Sequence, residues 1–392
     1  MGKTLLILST CLFVVLSSFS QTRRLSSDAE ISVLTIGPGS SLNDAFGHSG
    51  FRIKDTRLGI DEVYNYGIYD FNTPNFYLKF AQGKLNYLIG KDTFQDFYRS
   101  YVYQNRSIQE QTLKLTQIEK QQVYEYLLNN IKPENRTYLY DFFFDNCATK
   151  IKDVLIANLS FPVVFNEPAD FQTKSFRTLI QDQLDANSWG SVGIDLALGS
   201  VIDRPATPEE HMFLPQYIHT FFGTATFENT KEHLVKTDEL LYKQKEVADS
   251  NNVLFSPFVV FGILGLLIIG LTYSDFKKQT RTKILDIGIF TITGLLGVLI
   301  LFLWFATDHE AAAQNYNLLW AFALNLVVMG QLIKPTPKLW FIKYLKFLVI
   351  MLCLLSFHWL VGIQVFAIAL LPLLIALGLR YVFLIWHFSK KA

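Results

Sequence analysis

"HSGFRIKDTRLGIDEVYNYGIY", His48 to Tyr69, reads as two strands around a turn. "HSGFRI" and "EVYNYGIY" are built largely from β-branched and aromatic residues, and the intervening "KDTRLGID" is polar with a glycine, so the segment predicts an antiparallel hairpin. The preceding "EISVLTIG" (Glu30–Gly37) supplies a third strand. Two later stretches, "QIEKQQVYEYLLNNI" and "CATKIKDVLIANL", carry helical apolar spacing; in the second, Ile151, Val154, Leu155 and Leu159 share one face. An α+β domain is therefore expected over residues 21–224.

Composition divides the rest of the 392 residues. The formal net charge is only +1, with 35 Lys+Arg against 34 Asp+Glu, so the chain lacks the basic field that nucleic-acid binding requires. "MGKTLLILSTCLFVVLSSFSQ" has an early lysine, an apolar centre and small residues before Gln21, the layout of a secretory signal peptide over residues 1–20. Residues 225–252 are charged and read as a solvated helical connector. Beyond them, apolar runs predict an all-α bundle of five transmembrane helices within residues 253–388: Val253–Tyr273, Ile284–Ala306, Leu318–Ile333, Leu345–Val361 and Ile363–Phe388. The loops "SDFKKQTRTK" and "KPTPKLWFIKYLK" and the tail "SKKA" are basic, whereas "TDHEAAAQNYN" has no Lys or Arg. The positive-inside rule puts the basic pieces and the C-terminus in the cytoplasm, and "TDHEAAAQNYN" outside with the soluble domain.

Of the three cysteines, Cys11 lies in the signal segment and Cys353 in an apolar run, leaving Cys147 as the single thiol of the exported domain. Asp145 or Asn146 is placed to cap a helix starting at or beside Cys147, where the helix dipole and free N–H groups favour thiolate over thiol. A buried inert thiol is the alternative. His48, opening a strand, is the candidate base, although a strand histidine is more often structural. The order histidine before cysteine is that of circularly permuted papain-like (NlpC/P60-like) folds, in which a polar side chain on the next strand orients the imidazole. Asn65 is the first candidate for that role and Asp61 the second; packing of "YNYG" within the sheet is the competing use.

No HExxH, CxxC, phosphate-loop or EF-hand motif is present, so no metal or nucleotide cofactor is expected. His211 and His219 read as structural. Asp308, His309, Asn315 and Asn317 cluster where spans meet the outer surface, a position suited to lipid-headgroup contact or to simple loop capping.

"LTIGPGSSLNDAFGHSGFRI", "YNYGIYDF", "NRSIQEQTLKLT", "DNCATKIKD", "IDRPATPEEHMFLPQY" and "TDHEAAAQNYNLLW" together resemble the Lnb-type bacterial lipoprotein N-acyltransferases. The resemblance implies a multi-pass protein of the bacterial inner membrane with a periplasmic Cys-His site, and it carries His48 and Cys147 over as catalytic. It also implies membrane phospholipid as acyl donor and diacylated lipoproteins as acceptors. A membrane-anchored thiol hydrolase of cell-wall peptide or lipid esters, and a tethered sensor without catalysis, are the rival readings.

Overall fold

The computed structural model describes residues 24–246 and 253–390; the expected signal peptide and Cys11 lie outside them. The three expected strands form as β1 (Glu30–Ile36), β2 (His48–Asp55) and β3 (Ile60–Ile68), antiparallel, with Ile36 opposite His48 and Gly50 opposite Asn65. They are the centre of a larger sheet. With β4 (Asn86–Thr93), β5 (Ile108–Leu113), β6 (Thr137–Leu139) and β9 (Val235–Tyr242) the order is β6-β4-β3-β2-β1-β5-β9, all antiparallel, while β7 (Val163–Val164) and β8 (Thr226–Phe227) pair separately.

The expected helical connector is corrected here. Its described part contains β9, whose Val235 to Tyr242 pairs with Leu113 to Ile108 of β5. The unpaired backbone groups of β5 supply the reason, because a strand edge takes a hydrogen-bonding partner whatever the partner's side chains. The charges that made the segment look like a solvated helix lie instead on an exposed edge strand, where they discourage further pairing.

Among the described residues seven α-helices accompany the sheet: α1 (Phe76–Ala81), α2 (Phe94–Tyr103), α3 (Gln117–Asn130), α4 (Cys147–Ala157), α5 (Phe176–Gln181), α6 (Trp189–Ala197) and α7 (Pro215–Thr224). One face of the sheet, through Ile31, Val33, Phe51, Ile53 and Tyr64, packs on α3, α4 and α7. The other face, through Leu34, Ile36 and Val63, packs on Phe97 of α2. A sheet covered on both faces explains why β1 and β2 are buried at nearly every position rather than at alternate ones, polar Ser32, Thr35, Ser49 and Arg52 included.

The C-terminal part is α8 (Pro257–Lys278), α9 (Lys283–Phe305), α10 (Asn325–Ile333), α11 (Leu339–Val361) and α12 (Leu371–Ser389). Among the described residues four helices have the length and hydropathy of a membrane span: α8, α9, α11 and α12 with the turn before it. The expected third span differs: a 3-10 turn, Tyr316–Leu319, precedes α10, whose nine residues rise only about 14 Å. Asn317 and Asn325 are buried in this broken crossing together with Trp320 and Ala321, so its irregular backbone is enclosed by protein rather than lipid. Gly294 and Gly297 of α9 permit that enclosure, since a Cβ at Gly297 would run into the backbone of Ala321 and Ala323. At the far end of the bundle, buried Arg380 bonds Asp286 (2.7 Å) and Asp275 (2.8 Å), and Arg281 lies 3.5 Å from Asp286. Two cations facing two anions keep this low-dielectric cluster neutral while tying α8, α9 and α12 together.

The domain and the bundle are stitched by backbone. Gly199 N–H donates to Ala311 O (2.8 Å), Ser200 N–H to Gln314 O (3.1 Å), Asp308 N–H to Gln82 O (2.8 Å) and Trp189 Nε1 to Phe255 O (2.9 Å). Buried Arg177 braces this seam by bonding Asp195, Asp203 and the carbonyls of Leu198 and Gly199. The segment after α9 thus sits on the domain's side of the bundle, as its lack of positive charge indicates. A Cβ at Gly199 would overlap Ala313 O, whereas one at Gly193 of α6 meets nothing. Gly199→Ala is therefore expected to cost about 1–3 kcal/mol, the usual range for overpacking, read as a lower midpoint of thermal unfolding in detergent. Gly193→Ala should leave the midpoint unchanged or raise it slightly.

Candidate active site

Helix α4 begins at Cys147 because Asn146 caps it. Asn146 Oδ1 accepts from Ala148 N–H (2.7 Å) and Thr149 N–H (3.0 Å), and Thr149 Oγ1 accepts in return from Asn146 N–H (2.8 Å). The other half of the same amide donates to Phe142 O (2.7 Å) and Phe213 O (2.8 Å). One buried side chain thus fixes the helix start, the loop before it and a segment far along the chain. A cap of this kind is worth about 1 kcal/mol on helix stability alone.

The cap turns the first residue of α4 toward the sheet. The backbone N–H groups of Ser49, next to His48, and of Cys147 and Ala148 are near enough to the thiol to favour its anion. Gly67 sits at an irregularity between β3 and β4 with φ 91°, and a Cβ there would stand 3.6 Å from Cys147 Cβ. A glycine is required by the backbone conformation. The expected preference for thiolate is overturned: burial pushes the Cys147 thiol up to about 11, outweighing the N–H groups and the Arg106 charge, which pull the other way. Desolvation of the anion wins over a helix terminus.

His48 lies on the β2 face opposite that of Phe51, with Gly50 leaving space between it and the Asn65 side chain. The hydrogen bond between His48 Nε2 and Asn65 Oδ1 is 3.3 Å, and Asn65 Nδ2 donates to Asp92 Oδ2 (3.3 Å). The carboxylate fixes the amide: with Nδ2 committed to Asp92, Oδ1 must face the imidazole and accept from Nε2–H. Nδ1 is then the unprotonated nitrogen. Burial lowers His48 to about 4, with the Asn65 bond opposing the shift. The imidazole is neutral across physiological pH, and so is the thiol. The two are not joined by a hydrogen bond; Ser49, the neighbour of His48, and Gly67, two residues after Asn65, both approach Cys147.

Two neighbours escaped the sequence reading. Tyr101 of α2 packs its ring 6.2 Å from His48, and the Arg106 guanidinium lies 4.9 Å over the Tyr101 ring. Arg106 Nε donates to Gly37 O (2.9 Å) and Nη1 to Asp44 Oδ1 (3.4 Å), while buried Nη2 has no partner in the structure. The only signal in the sequence was a lone arginine in "NRSI", because its approach to the site is made by strand pairing across β1 and β5.

Other candidates are placed elsewhere. Asp61 binds Arg52 through both oxygens (2.7 and 2.8 Å), so it does not orient His48. His211 is buried between Thr207 O and Lys174 N–H, and His219 pairs with Asp238 (3.1 Å), both structural as expected. Asn315 and Asn317 are buried and clamp the bundle to the domain, donating to Leu196 O (2.8 Å) and Asp195 O (2.9 Å). Asp308 is exposed 3.9 Å from Lys84, and His309 abuts Gly83.

A thiol held at about 11 makes a direct prediction. Carboxamidomethylation of Cys147, followed by peptide mass spectrometry on the folded protein, should be slow at pH 7 and rise about tenfold per pH unit toward pH 10. A rate already at its plateau at neutral pH would mean a preformed thiolate instead.

Comparison with known protein families gives two matches, in the order of the two parts described above. Residues 19–179 match the Lnb N-terminal periplasmic domain and residues 249–392 match the Lnb transmembrane domain. No curated protein and no solved structure matches the chain. The chain belongs to the Lnb-type proteins, an integral membrane protein in which an Lnb N-terminal periplasmic domain of mixed α+β structure is joined to an Lnb transmembrane domain.

Proposed function

We propose that this protein is a lipoprotein N-acyltransferase with Cys147 as nucleophile, His48 as base and Asn65 as the residue that orients His48, in a domain of circularly permuted papain-like type. The observation that carries the reading is the line Asp92–Asn65–His48 on the strand whose next residue, Ser49, meets a cysteine at the first position of a capped helix. That is the nucleophile, base and orienter of a covalent acyl-transfer site.

The resting pair is neutral, so the thiol proton moves as the bond forms. On approach of a phospholipid ester, His48 Nδ1 takes the Cys147 proton while Sγ attacks the carbonyl, and the Cys147 N–H, which the Asn146 cap leaves uncommitted, is the first-turn donor for the developing oxyanion. Collapse breaks the ester C–O bond, the imidazolium returns the proton to the glyceryl oxygen, and lysophospholipid leaves an S-acyl enzyme. The α-amine of a diacylglyceryl-cysteine then attacks the thioester; His48 accepts the amine proton and passes it to the departing sulfur as the amide forms. A high thiol pKa suits the first step, since intrinsic nucleophilicity rises with pKa once the proton is removed in place. Burial of the sulfur also favours the amine over water as acceptor. The bundle holds this chemistry at the bilayer surface, where both substrates are confined. Asp308 and His309, at the rim where domain and bundle meet, stand at headgroup height in this reading.

The test is the mass of a synthetic diacylglyceryl-cysteine lipopeptide after incubation with phospholipid and the detergent-purified full chain. A gain of one acyl chain as an amide is expected, lost with Cys147→Ala and reduced about 10²–10⁴-fold with His48→Ala. Release of free fatty acid with no gain by the lipopeptide would replace transferase by hydrolase.

A further inference from the structure

Between β3 and β4 the chain runs from Tyr69 through α1 with no buried residue in that helix. Phe71 is 66 %, Tyr77 79 %, Leu78 56 % and Phe80 55 % exposed. The rings pack on one another, edge-to-face or tilted: Phe71 and Phe76 are 4.9 Å apart, Tyr69 and Phe71 5.1 Å, Phe76 and Tyr77 5.3 Å. A contiguous apolar patch of this kind in water is a liability unless something covers it.

Its position identifies the cover. The turn that ends α1 is fixed to the outer end of α9: Asp308 N–H donates to Gln82 O (2.8 Å), Lys84 reaches Asp308 (3.9 Å), and a Cβ at Gly83 would touch His309. Helix α9 stops just before this point at Trp304 and Phe305, stacked 4.7 Å apart, with Phe305 71 % exposed. Aromatic side chains at the end of an apolar helix mark the boundary between hydrocarbon and headgroups. The α1 patch is therefore held at bilayer-surface height, with Lys79 and Lys84 beside it for lipid phosphate. At its other end, Tyr69 lies 5.6 Å from Tyr87, which stacks 4.2 Å from Tyr140, and Gly67 two residues earlier faces Cys147.

We propose that Tyr69–Phe80 is a lipid-docking segment that seats its aromatic rings in the outer face of the bilayer and receives a phospholipid acyl chain on its way to Cys147. The seating stands on exposure and attachment alone; the route to Cys147 rests on the acyl-transfer reading above.

The test uses the full chain carrying Tyr77→Trp in phosphatidylcholine nanodiscs, with emission from the parent subtracted to remove its six native tryptophans. The added emission should be quenched when the acyl chains are brominated and spared by iodide in the buffer. Quenching by iodide but not by bromolipid would overturn the seating, and so would shielding from both, which would mean that a second copy or another protein covers the patch. A triple variant, Phe71→Ser, Tyr77→Ser and Phe80→Ser, should lower acyl transfer from vesicle phospholipid at least about tenfold, the equivalent of one buried aromatic anchor. Its Cys147 alkylation rate should match the parent, showing a folded site. Full transfer by this variant would overturn the route even if the seating holds, whereas a parent inactive with lipopeptide would count against the reaction and leave the quenching result intact.

Discussion

The amide of Asn146 is the constraint on which the site depends. It spends all its hydrogen-bonding capacity on backbone, capping α4 on one side and holding Phe142 and Phe213 on the other. Because the partners come from three separate stretches, the first residue of α4 is fixed relative to the sheet rather than merely to its own helix. Cys147 is delivered against Ser49 and Gly67 as a consequence. Two opposing fields then act on the sulfur. The helix terminus and Arg106 favour the anion and burial disfavours it, and burial prevails. In the proposed reaction, a neutral thiol and a neutral histidine keep the nucleophile unreactive until a carbonyl is in place.

The bundle gives that site its address. Backbone hydrogen bonds from Gly199, Ser200 and Asp308, and the buried amides of Asn315 and Asn317, join the domain to the segment after α9. Buried backbone bonds have fixed geometry and little freedom, so the joint behaves as packed structure rather than as a tether. The interrupted segment before α10 serves both parts: Asn317 is satisfied where bundle and domain touch, and Asn325 within the bundle by Thr293 and Tyr344.

Much of this was legible in the sequence because it is local. The β1–β3 sheet followed from β-branched runs around a polar turn, the start of α4 from an asparagine before the cysteine, and the match of His48 with Asn65 from counting across one hairpin. What was not legible depends on distant partners. Strand β9 looks like a charged helix until the open edge of β5 is known. The span over Leu318–Ile333 has the hydropathy of a helix, yet Asn317 just before it and Asn325 inside it bind protein and the helix is interrupted. The raised pKa of Cys147 reflects desolvation by segments distant in the sequence, which no local pattern encodes. Arg106 reaches the site only through the pairing of β5 with β1.

The central claim is that Cys147 carries the acyl chain between donor and acceptor. The most direct measurement is the intact mass of the full chain after exposure to phospholipid with no lipopeptide present. The account predicts a species heavier by one acyl chain, removed by neutral hydroxylamine as a thioester is, mapped to Cys147 and absent from Cys147→Ala. An unmodified chain that nevertheless acylates lipopeptide when it is added would contradict it, because the acyl group would then pass from donor to acceptor without resting on the protein.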